Sequence, residues 1–152
     1  MPIHAVAGHL VIILAPITAL IAVLYAVSSR ARSGTRWPLL AAAVLTAGLV
    51  VWAGEVGGDL LDRVKAQAAA TEVAAATAHA KDSDALSVAV FALLAMVLLS
   101  VLRLLRPGRT GSGPRIAAVL LTLSAIAVLV TTWTSLSSAL AAVWSHHPSW
   151  IG

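Results

Sequence analysis

The chain has 152 residues, of which 60% are hydrophobic and 11% charged; its mean hydropathy of +0.96 excludes an ordinary water-soluble domain and makes a bilayer its natural solvent. The net charge of +4 does not signal nucleic acid, because the basic residues flank apolar runs and carry no interleaved aromatics. The absence of cysteine excludes disulfides, Cys-ligated zinc, iron–sulfur clusters and thiol catalysis within the chain.

A hydrocarbon core of about 30 Å needs about 20 apolar residues per helix, so four spans with short connections use nearly the whole length and leave no second domain. The first predicted span covers 5–27 and meets no charge until Arg30. No basic segment precedes it, and its apolar run exceeds the roughly 7–15 residues of a signal-peptide core, so it is read as a retained helix. Arg30, Arg32 and Arg36 follow around Ser33-Gly34, and Trp37-Pro38 opens the second span, 38–56. Proline is placed there near the first helical turn, where its missing N–H costs little.

The connection 57–84 is rich in alanine and reads as two helical extensions rather than a plain loop. Leu60, Leu61 and Val64 continue the second helix past Gly57-Gly58, and Thr71 is the expected cap of a helix running through Glu72 and His79 into the third span. That span covers 85–105, and the Pro107–Pro114 stretch with its three glycines is a loop. The fourth span covers 116–144. The fold class is therefore all-α: a polytopic, up-down bundle of four transmembrane helices with a helical hairpin projecting outward between helices 2 and 3. No period of about 20–50 residues repeats, which excludes a solenoid.

The segments 28–37 and 103–115 hold Arg30, Arg32, Arg36, Arg103, Arg106, Arg109 and Arg115 without one carboxylate. The positive-inside rule makes them cytoplasmic and puts both termini outside, in a multi-pass protein of the cytoplasmic membrane. Trp52, Trp144 and Trp150 are expected near the outer boundary and Trp37 near the inner one, as interfacial aromatics.

All six acids, Glu55, Asp59, Asp62, Glu72, Asp82 and Asp84, and all five histidines, His4, His9, His79, His146 and His147, then fall at the outer end. Glu55, Asp59 and Asp62 share one stripe of helix 2, and His79 and Asp82 one face of helix 3. His9 lies about a turn inside the first span, where an imidazole needs a polar partner, and Glu55 sits at a similar depth. His9, Glu55, His79 and Asp82 are thus expected to converge. His4, His146 and His147 are read as solvated terminal residues, and Asp59, Asp62, Glu72 and Asp84 as solvated face residues. In the fourth span Ser124, Thr131, Ser135 and Ser138 share one face, expected to serve close helix packing with hydroxyls bonded to their own helix.

Taken together, the stretch HAVAGHLVIILAPITAL with His4, His9 and Pro16, then Ala53-Gly54-Glu55, Leu61-Asp62-Arg63-Val64, and His79 with Asp82 resemble a family of bacterial four-helix membrane proteins of unknown function, common in actinobacteria. The resemblance spans essentially the whole chain and implies a four-helix fold with a shared outer site. Family members usually open on His-Pro, whereas Ala5 follows His4 here, which points to His9 rather than His4 as the site residue. Some relatives are joined to Rieske-type iron–sulfur domains, which implies an electron-transfer setting.

Three readings follow. His9 and His79 are candidate axial ligands of a b-type haem held between helices, although counting outward from the arginines places His79 about 6 Å beyond the membrane edge, with His9 near it. Alternatively, His9, Glu55, His79 and Asp82 suit a divalent transition metal such as Zn, Mn or Fe. The third reading is an accessory subunit of a larger membrane complex. No nucleophile elbow, phosphate loop or dinucleotide fingerprint is visible, so the chain is not expected to be an enzyme in its own right. Its expected partners are the lipid bilayer and a redox partner or a second copy.

Overall fold

The computed structural model describes residues 3–106, 108–109 and 111–144. It contains four long helices, α1 (Ile3–Val27), α2 (Arg32–Gln67), α3 (Ala70–Leu99) and α4 (Ser112–Trp144), with a π-helical turn, Ser100–Leu104, continuing α3. Each is long and apolar enough to cross a membrane. They form an up-down bundle in which α1 packs on α2 and α4, α3 packs on α2 and α4, and α1 faces α3 across the diagonal.

Along α1 the packing inverts the soluble pattern of large apolar residues inside, whereas α3 turns Leu86, Val90, Leu93 and Val97 inward. Along α1, Ala15, Ala19, Ala22 and Ala26 recur every three or four residues and are buried, while Ile13, Ile17, Leu20, Leu24 and Val27 follow the same spacing on the outer side. Leu20 is 60% exposed beside a fully enclosed Ala19. Lipid tails are as apolar as leucine, so large side chains are as well placed outside as inside, and small residues on α1 let the helix backbones approach. Ala43 and Ala47 of α2, Ala89 of α3 and Ala117 and Ala125 of α4 complete this small-residue seam.

Two polar bonds pin the bundle. At mid-height the buried Thr18 and Thr46 hydroxyls lie 2.9 Å apart; Thr46 already donates to the Ala42 carbonyl at 2.7 Å, so Thr18 is the donor to Thr46. Near the arginines the Tyr25 hydroxyl donates to the Leu105 carbonyl at 2.9 Å. That carbonyl ends the π turn, in which the Leu105 N–H reaches back five residues to the Ser100 carbonyl at 2.8 Å. Arg32 closes the same end by donating to the Tyr25 and Ala26 carbonyls at 3.1 and 2.9 Å, two of the acceptors that a helix C-terminus leaves unpaired.

Three local expectations are corrected. Helix α2 begins at Arg32, so Ser33-Gly34 is helical and Pro38 lies inside the helix rather than at its first turn. Between α2 and α3 only Ala68 and Ala69 are non-helical; Ala69 has the extended backbone of a cap (φ −67°, ψ 154°) without a side-chain bond, and Thr71 lies inside the first turn. Alanine is the best helix former, so the helix extends back to the reversal itself instead of waiting for a capping hydroxyl. The π turn Ser100–Leu104 carried no sequence signal; the carbonyl that follows it, Leu105, accepts the Tyr25 hydroxyl.

Candidate functional site at the histidine end

Opposite the arginines, the four helices bring together side chains far apart in sequence. His4, in the first turn of α1, and His79 of α3 meet across the bundle diagonal with ring centroids 6.2 Å apart and planes at 72°. Both are half-buried. The remaining helices supply what surrounds them. Gly57 of α2 is the floor under His4: a Cβ there would lie 2.8 Å from Cε1 and 3.0 Å from Nδ1 of the imidazole, so only glycine lets the ring pack this closely. Ser138 of α4 places its Oγ 3.3 Å from His79 Nδ1, which orients that ring; among the described residues Nε2 has no hydrogen bond. One turn deeper, Ser83 and Ser135 hydroxyls lie 3.3 Å apart and link α3 to α4.

The electrostatics match the geometry. His79 lies six residues before the apolar span that opens at Ala85, outside the membrane-spanning stretch. Burial, followed by the facing His4 imidazole, lowers its pKa below the ordinary 6.5, against smaller raising effects of the Ser135 backbone and the Asp82 carboxylate. A neutral imidazole keeps a lone pair available for a ligand at physiological pH. His4 Nδ1 is buried and has no hydrogen-bond partner among the described residues, an arrangement that native structures keep only for a reason.

The expected convergence of His9, Glu55, His79 and Asp82 is not what the structure contains. His9 is exposed, and its Nδ1 lies 2.6 Å from the carbonyl of Ala5, one turn back on its own helix. The polar partner demanded by its depth is therefore local. Glu55 is also exposed, on the stripe it shares with Asp59 and Asp62, while Asp82 is half-buried on the His79 side of α3. Among the described residues no group of three or more His, Asp and Glu side chains could hold a metal ion. His146, His147, Trp150 and the Trp144 side chain lie outside the described residues; Trp37 and Trp52 are exposed.

His4, read from the sequence as a solvated terminal residue, takes the place expected for His9. Gly57 makes room for that ring, but it could not be singled out from the sequence, since the helical Gly8, Gly34, Gly48, Gly54 and Gly58 have nothing within 4 Å. On the hydroxyl face of α4, Ser124 and Thr131 bond to the Leu120 and Ala127 carbonyls of their own helix as expected, and Ser138 bonds to the Ser135 carbonyl. Only at Ser135 and Ser138 does it turn to another helix.

Comparison with known protein families, curated proteins and solved structures finds no match to this chain.

Proposed function

We propose that this chain is a multi-pass protein of the cytoplasmic membrane that holds a b-type haem at its outer end for electron transfer, with His4 and His79 as the axial ligands. The reading rests on one observation, the facing of two half-buried imidazoles from diagonal helices at 6.2 Å. A haem iron needs only two protein ligands, its other positions being filled by the porphyrin, whereas a bare zinc site needs three or four. The lack of a three-membered ligand group among the described residues therefore favours haem over a bare divalent metal.

The surrounding residues support the same assignment. Ser138 contacts His79 Nδ1 in the manner of second-shell partners, and burial lowers the His79 pKa, which favours the neutral ring. With the arginine-rich connections in the cytoplasm, the pair lies at the external face, in reach of a soluble electron carrier.

The test is the absorption spectrum of protein purified in mild detergent from haem-replete cells. A Soret band is expected, lost in His4→Ala and in His79→Ala and kept in His9→Ala. A colourless wild-type preparation, or a band that depends on His9 and not on His4, would sink the assignment.

A further inference from the structure

At the arginine end, α1 and α4 leave a groove of about 250 Å³ lined by Ala26, Val27, Ala118, Val119, Thr122 and Leu123. It exists because Tyr25 turns inward to Leu105 and the residues beside it, Ala26 and Ala118, are too small to fill the space between the helices. The one hydroxyl in the lining, Thr122, is already bonded to the Ala118 carbonyl at 2.9 Å, so the groove offers a ligand only apolar contact. Its mouth is different. Arg30 lies in the turn three residues beyond Val27, and Arg115 precedes Ala118 and Val119 by one turn of α4, on the same face. Both are exposed. Among the described residues, Arg32, Arg106 and Arg109 donate to backbone carbonyls, whereas Arg30 and Arg115 have no such bond, and the segments 28–37 and 103–115 contain no carboxylate.

We infer that this groove is a binding site for an anionic phospholipid, with an acyl chain against Ala26, Ala118 and Leu123 and the phosphate between Arg30 and Arg115. An apolar trough with cations three residues beyond it on one helix and one turn before it on the other is complementary to an amphiphile with a negative head. A second copy of the chain fits worse, since docking there sets arginines against arginines with no acid to pair them. The site is independent of the histidine end, so the two assignments stand or fall separately.

Native mass spectrometry of the full chain, released from detergent with phosphatidylglycerol or phosphatidylcholine of identical acyl chains, tests the inference. Wild type is expected to retain phosphatidylglycerol preferentially. The double variant Arg30→Gln/Arg115→Gln loses that preference, by roughly thirtyfold if each arginine contributes as juxtamembrane cations do, and Arg30→Lys/Arg115→Lys keeps most of it. Ala118→Leu, which fills the groove, weakens both lipids. Equal retention of the two lipids by wild type overturns the inference. So does unchanged phosphatidylglycerol binding in Ala118→Leu, which means surface charge alone, or a dimer disrupted by Ala118→Leu, which assigns the groove to a second copy.

Discussion

The two ends of the bundle use polar side chains in opposite ways. At the arginine end they bond to backbone: Tyr25 to Leu105, Arg32 to Tyr25 and Ala26, Arg106 to Leu102, Arg109 to Arg103. These bonds terminate helices and join them. At the histidine end side chains from different helices face one another, His4 with His79, His79 with Ser138 and Ser83 with Ser135. Side chain–side chain bonds are the minority class in proteins, about 10–15%, and two of them join α3 to α4 here. Arg36 Nε and Ser100 Oγ are also buried without partners among the described residues. Arg36, however, rests on the Trp37 ring 5.0 Å away, and that half of the molecule has no histidine or carboxylate for either to serve.

The contrast can be broken from either side. The largest effect is expected at Tyr25, the largest fully buried side chain. Tyr25→Ala should cost about 3 kcal/mol of stability, and Tyr25→Phe, which removes only the bond to Leu105, about 1 kcal/mol, both measured by thermal unfolding in detergent. Neither should alter the spectrum of the histidine end if the ends are separate in function.

Gly57→Ala should do the reverse. Its Cβ drives the His4 ring away, so the Soret band is lost or shifted while stability changes by no more than about 1 kcal/mol, the gain in helix propensity offsetting the lost contact. Gly58→Ala, whose Cβ meets nothing within 4 Å, is the control and should keep the band. Identical spectra for the two variants would show that the His4 contact with Gly57 has no part in binding.

The smallest effect is on pH. His79 has a folded pKa below its ordinary 6.5, so between the two values the unfolded chain binds more protons than the folded one. The contribution to stability is present above pH 6.5 and is lost as pH falls through that value toward the folded pKa. Melting of the cofactor-free protein should therefore decline on acidification from pH 7 to pH 5, and His79→Gln should flatten the decline. An unchanged slope in the variant would assign the pH dependence to other groups.

The histidine site was only half legible in the sequence. His79 stood out because its helix was predicted and its neighbours were polar, but the choice between His4 and His9 could not be made from hydropathy. They lie five residues apart, about half a turn out of phase on a helix, so when one faces the bundle the other faces away. Depth favoured His9; rotation of α1 decides for His4, and that rotation is set by Ala15, Ala19, Ala22 and Ala26 packing inward. An alanine seam has too weak a contrast with its leucine and isoleucine flanks to reveal which face is inner, because in lipid both faces are apolar.

What the sequence determined by itself was the number of helices, their approximate ends and the segregation of arginines from acids and histidines. Those follow from how many apolar residues span a bilayer and from where charge can be hydrated, which are properties of each segment alone. Only the tertiary structure decided which imidazoles meet, that Gly57 makes room for one and Ser138 orients the other, and that Tyr25 is bonded to a π turn 80 residues away. Those depend on the rotation and relative height of packed helices, which emerge from contacts that no single segment contains.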